Sequence, residues 1–409
     1  MAVNRTRSLA RTAVLLATVA TVAGCATTSE PAAPPEEVPP HGYVEGAEET
    51  AEAQYRLVVA DDATGAVHVL DLNTEEVHDA GTVAGVEDIV GDGRFAYITS
   101  ADRSVHLVDS GAWMVDHGDH VHYYRAQVRE LGAFPGAEPT DAHSDPTVAA
   151  VSHVDGTVQL LDRGQLDAGV IAPTATISGG PHRAYAVPYH EQVLTSVAQP
   201  GREYADAVEV RGRQGEPVAA INTPCPELQG SAVTRRGAVF GCADGALLVT
   251  EENGVFRGEK IPYPRPVADD ERAREFTLRP GSSTLAAQAG NRGVWSLDLS
   301  KRTWAYLETG PIVSVNTVGE GAPLLTLTAD GVLHAFDTAT GQETAQAPLL
   351  GAPLPADGPA PVIQVDTARA YVNDPAGGTI YEIDYNDDLR VARTLTVPGT
   401  ASHMVETGR

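Results

Sequence analysis

Eight stretches of this sequence repeat one pattern, a turn followed by a β-alternating run that usually ends in an acid. They read TGAVHVLDL, DRSVHLVDS, DGTVQLLDR, DAVEVRGR, DGALLVTEE, RGVWSLDLS, DGVLHAFDT and GGTIYEIDY. Their ends, at Asp71, Asp109, Asp162, Arg211, Thr250, Asp298, Asp337 and Asp384, lie 38 to 53 residues apart. Another strand-like run precedes most of them, and a polar turn with a weaker strand follows. Helical periodicity is nearly absent, while Gly, Pro and Asp punctuate the chain every few residues. A repeat of about 40 to 50 residues holding about four short strands marks a β-propeller blade. A β-sandwich does not need eight similar units, and a β-helix repeats at a much shorter period. The expected fold is therefore all-β, a single propeller over residues 54–409 with eight blades, or seven as the alternative. The first unit opens on YRLVVAD, a second-strand pattern, and the chain ends on ASHMVETGR, an innermost-strand pattern. Pairing these two ends would close the ring and cover an exposed edge.

The N-terminus bears on the compartment. Arg5, Arg7 and Arg11 precede the apolar run TAVLLATVATVAGC, as in a signal peptide spanning residues 1–24. The run is shorter than the ~20 residues a spanning helix needs. Val22-Ala23-Gly24-Cys25 resembles the lipobox of bacterial lipoproteins, which implies lipid on Cys25 and a protein held at the outer face of the cell membrane. An ordinary secretory signal with a chance cysteine is the alternative. Residues 25–53 are rich in Pro, Glu and Ala, bury almost nothing, and read as a disordered tether.

Charge narrows the partners. The chain carries a net −27, and removal of the three signal arginines leaves 25 basic against 55 acidic residues, a net −30. Such a surface repels nucleic acid. Only two lysines occur, Lys260 and Lys301, so a polybasic membrane surface is also disfavoured and the membrane contact would be the lipid alone. In an oxidising compartment Cys225 and Cys242 favour a disulfide, with a Cys–Cys metal pair as the alternative.

The chemistry-bearing motif is DHGDHVHYY, residues 116–124, an insertion after the third strand of the second unit. His117, His120 and His122 follow H-x2-H-x-H, with Asp116 and Asp119 beside them, and Gly118 permits a tight turn. Imidazole and carboxylate suit Zn²⁺, whereas Ca²⁺ takes six or more oxygens and Cu²⁺ competes for the same imidazoles. A solvated polar loop is the plain alternative. His143, His182 and His403 fall just before innermost strands, where they would ring one mouth of the channel. They could complete a metal site or be hydrogen-bonded structural residues. The candidate metal set is thus His117, Asp119, His120, His122, His143 and His182. His68, His106 and His334 read as ordinary sheet residues.

An exported propeller with Asp-His-Gly-Asp-His-x-His-Tyr-Tyr in its second blade resembles the Azt-type zinc metallochaperones. The resemblance covers the propeller, and its specific part is residues 116–124 with the channel histidines. It implies a protein that binds zinc outside the cytoplasmic membrane and hands it to the solute-binding protein of a zinc ABC importer. It also implies metal-binding roles for His117, His120 and His122, with an acid as a candidate fourth ligand. One departure stands out: the His-rich N-terminal segment of such chaperones is missing, and the tether offers only His41. Two other classes compete. A metal-dependent hydrolase or lactonase would use a three-His zinc to activate water, but no nucleophile elbow, cofactor fingerprint or companion acid-base motif accompanies the histidines. A non-catalytic interaction propeller would use its faces for docking. The expectation is a zinc carrier and not an enzyme.

Overall fold

The structure is a computed structural model describing residues 42–351, 354 and 358–409. The expected signal peptide with Cys25, and the expected tether up to His41, lie outside the described residues. The described residues belong to one compact unit.

The fold is an all-β propeller. Among the described residues nine antiparallel sheets form: eight succeed one another along the chain, seven of four strands and one of three, and a further three-stranded sheet is inserted in the second. In the three-stranded sheet, Thr284–Ala289, Gly293–Asp298 and Thr303–Leu307, the innermost place is taken by an isolated bridge between Thr277 and Ala286. The first sheet is completed from the far end of the chain. His403–Thr407 pairs antiparallel with Arg56–Ala60, Ala60 opposite His403 and Arg56 opposite Thr407. Neighbouring sheets bury apolar side chains between them, as where Val58 and Val69 of the first meet Ile98 and Val108 of the second. Each such side chain contributes about 1.5–3 kcal/mol relative to exposure.

The acid that ends most repeats caps the turn that follows. Asp71 Oδ1 accepts the backbone N–H groups of Asn73 and Thr74, and Asp298 and Asp337 do the same for the residues two and three further on. This is an Asx turn, which satisfies backbone donors a strand end would leave open. In several sheets the acid also meets an arginine from the adjacent strand, as in Arg56–Asp71 and Arg94–Asp109.

Cys225 and Cys242 form a disulfide, with Cα atoms 4.9 Å apart. It staples the turn after Pro217–Ala220 to the end of Gly237–Cys242 in the next sheet. The innermost strands enclose a central cavity of about 590 Å³ whose wall includes Asp141, His143, Ser231 and Gln364.

Candidate metal centre

The histidine motif builds a β-hairpin. Ala112–Asp116 and Val121–Arg125 pair antiparallel, inserted between the strands Ser104–Asp109 and Arg129–Pro135 of the second sheet. Asp116 faces Val121, and beyond them the His117 N–H donates to the His120 carbonyl at 2.9 Å. That leaves Gly118-Asp119 as a two-residue turn. Gly118 has φ +86°, the first central position that a type II′ turn reserves for glycine. Asp116 Oδ1 accepts the Gly118 N–H at 2.7 Å and tightens the bend.

This register decides which side chains share a face. Residues directly opposite lie on one side of a sheet, as do residues two apart. Val115 faces His122 and Trp113 faces Tyr124, so His117, His120 and His122 share a face with Val115, Tyr124 and Trp113. The three imidazole centroids are 4.8, 4.9 and 5.3 Å apart. One ligand nitrogen from each lies within 4.8 Å of the others. Zinc held at roughly 2.0–2.1 Å from each would draw them closer still, by rotation of side chains of which two, His117 and His120, are exposed.

The hairpin is also paired on its second edge. Glu48–Thr50 joins Val121–Arg125, with Glu49 opposite Tyr124, making a three-stranded sheet. These residues fall inside the stretch 25–53 read as a disordered tether, so that reading is corrected at its downstream end. The composition offers nothing to bury, but the strand gains its order by pairing.

Two carboxylates orient the imidazoles. Glu49 shares the histidine face, and its Oε1 lies 2.7 Å from His122 Nδ1; Asp119 Oδ1 lies 2.8 Å from His120 Nδ1. A carboxylate only accepts, so Nδ1 is the donor in each pair, and in the neutral ring the lone pair falls to Nε2. This is the usual arrangement of metal-binding histidines, whose other nitrogen is held by an outer acid. The Asp119 carboxyl is held below its ordinary range, chiefly by its hydrogen bond with His120. Asp119 was expected among the ligands; its carboxylate instead engages the back of His120.

A buried pillar carries the hairpin. Tyr124 stacks on Trp113 at 5.3 Å and faces His122 at 6.3 Å. Arg94 lies under Trp113 and pairs with Asp109 at 2.8 Å and Asp167 at 2.9 Å.

The other expected ligands do not join. His182 is buried, with Nδ1 2.9 Å from the Gly180 carbonyl and Nε2 3.2 Å from Ser196 Oγ, so both nitrogens are occupied. His143 Nε2 meets Asp141 Oδ2 at 2.8 Å and Ser231 Oγ at 3.2 Å in the channel wall. Burial pulls its pKa down, but the Asp141 charge and hydrogen bond more than offset this and raise it. Nor do the three channel histidines ring one mouth: His143 lies within Pro139–Ser144, His182 precedes Ala186–Tyr189, and His403 opens its strand. The physical reason for the separation is the hairpin's own alternation. Its opposite face carries Met114 into the channel wall and Asp116 onto Arg235, so the histidine face looks away from the channel.

Sequence reasoning missed Glu49. It lies 73 positions from His122 in a stretch without strand signal, and only strand pairing brings the two together.

Fold and site together define a β-propeller bearing a histidine-faced hairpin on its second blade. Among solved structures, the crystal structure of Citrobacter koseri AztD is similar at TM-score 0.72 and 21% identity, over 87% of this chain and 98% of that one. The structure of apo AztD from the same organism gives 0.71 and 20% over the same shares. The computationally designed Ika8 protein follows at 0.53 and 13%, again over 87% of this chain and 98% of its own. The chain is thus an AztD-like propeller in fold. No family model and no curated protein sequence matches it.

Proposed function

We propose that this protein is an extracytoplasmic zinc metallochaperone that delivers its cargo to the solute-binding protein of a zinc ABC importer. One observation carries the reading: three imidazoles converge on one exposed hairpin face, with ligand nitrogens within 4.8 Å. Outer carboxylates on His120 and His122 favour the tautomer a metal needs. The likeness of the fold to AztD supports the same reading. Zn²⁺ is the cargo. Lipid on Cys25 would hold the carrier at the outer face of the cell membrane, close to the importer.

A carrier must resist free release yet surrender its metal to a partner. Exposure of His117 and His120 suits that task, because an incoming ligand can replace one imidazole before the ion leaves. The test is transfer. Zinc-loaded protein is mixed with its cognate solute-binding protein, and occupancy is followed against a chelator control. Faster loss to the partner than to the chelator is expected; equal rates would reduce the protein to a passive zinc binder.

A further inference from the structure

The segment 42–50 crosses the hairpin from one edge to the other. At the first edge Trp113 Nε1 donates to the Gly42 carbonyl at 3.1 Å. Gly42 has φ +82°, and a Cβ there would sit 2.2 Å from Val115 Cγ2. The backbone therefore lies directly on the histidine-bearing face, at the foot of the imidazoles, where only glycine fits. At the second edge Glu48–Thr50 pairs with Val121–Arg125, and Glu49 holds His122.

Among the described residues the other fastenings of this segment are slight, and include the Thr50 hydroxyl donating to the Tyr123 carbonyl at 3.4 Å. Its strand is three residues long, Glu48 and Glu49 are exposed, and the flanking Glu48–Arg125 pair is solvated. Exposed ion pairs contribute about 0–1 kcal/mol. Short, exposed pairings of this kind open at the low end of a protein's stability range. Yet the segment supplies the group that fixes one imidazole.

We infer that residues 42–50 form a strap whose docking is thermodynamically linked to zinc: docked, it positions His122 through Glu49, and undocked, it releases the metal. This rests on the zinc-carrier reading. Linkage works both ways, so zinc must stabilise the docked strap by the same factor by which the strap tightens zinc. Glu49 is a positioning residue here, acting through His122.

The test uses the full chain and zinc alone. Dissociation into a chromogenic chelator is timed, and amide exchange at residues 48–50 is followed with and without zinc. Glu49→Ala is expected to speed zinc release about 10- to 100-fold, the usual cost of losing an outer partner. Glu49→Gln keeps an oxygen acceptor and is expected to recover most of that loss. Gly42→Val touches no zinc-facing group but drives a side chain into Val115, and it is expected to speed release as well. Zinc should slow exchange at 48–50 in the wild type and in neither Glu49→Ala nor Gly42→Val. Unchanged release in Gly42→Val, or exchange indifferent to zinc in the wild type, would overturn the strap. His120→Ala/His122→Ala separates the two ideas. If that variant loses zinc while Glu49→Ala and Gly42→Val behave as wild type, only the strap fails. If it keeps zinc, the carrier reading falls with it.

Discussion

The guanidinium of Arg94 lies 3.8 Å from the ring centroid of Trp113, and through this contact the buried interior of the second blade carries the histidine hairpin. Arg94 is itself buried and balanced by Asp109 and Asp167. The insertion is therefore not the mobile loop that a polar, His-rich sequence suggests. It is a short sheet with a fixed root.

Trp113→Ala should accordingly damage zinc binding without removing any imidazole. Loss of a buried indole costs about 3–5 kcal/mol of stability, and a hairpin freed at its root holds three nitrogens less well. We expect roughly tenfold weaker zinc by competition titration, alongside a lower Tm. Arg94→Met should also lower Tm, because it leaves the buried Asp109 with Arg129 as its remaining arginine partner. Zinc affinity unchanged in Trp113→Ala would mean that the histidines organise themselves.

Binding of one zinc per chain is expected, and His120→Ala/His122→Ala should abolish it while the β-rich circular dichroism spectrum persists. Protons compete with metal for imidazole nitrogen. Affinity should thus fall by about tenfold or more between pH 7.5 and pH 5. Equal affinity at both pH values, measured by equilibrium dialysis with metal analysis, would exclude imidazole as the main ligand.

The Cys225–Cys242 bridge closes a loop between residues 17 positions apart. A loop of that length stabilises by about 3 kcal/mol in the chain-entropy account. Reduction should lower Tm by several degrees and leave zinc content unaltered. Loss of a zinc equivalent on reduction would make the cysteines ligands.

Glu406 sets a dependence on alkaline pH. Burial pushes its carboxyl up to about 8 from an ordinary 4.5, the Asp366 charge adds to this, and Arg409 opposes it. The folded protein thus keeps a proton that the unfolded chain gives up. The associated stability is fully present below about pH 4.5 and is lost as pH rises to about 8. Glu406→Gln remains neutral throughout. It should melt close to the wild type at pH 5 and above it at pH 9, and parallel Tm profiles would refute the assignment.

Much of this was legible because it is local. Asp71, Asp298 and Asp337 announce their turns since each caps backbone only two or three residues away. His117, His120 and His122 converge through strand alternation and one glycine, both readable in DHGDHVHYY. What failed was long-range. Nothing near Glu49 signals a strand, because its order comes from residues 123–125. His182 resembled a channel ligand, but its partners Gly180 and Ser196 complete both nitrogens. His143 shares a cavity with Met114, and only the pleat of the hairpin reveals that the imidazoles stand on its other side.

The hairpin's register also governs how the gene can change without losing the site. His120 and His122 share a face because one residue, Val121, separates them; Val121 packs no imidazole and tolerates replacement by another strand former. Deleting it is a different event. Every side chain beyond the gap changes sides, so one imidazole turns toward the channel and Tyr124 leaves Trp113. Drift by substitution can rewrite many letters of this insertion, whereas a codon gained or lost within either strand would turn part of the histidine face over.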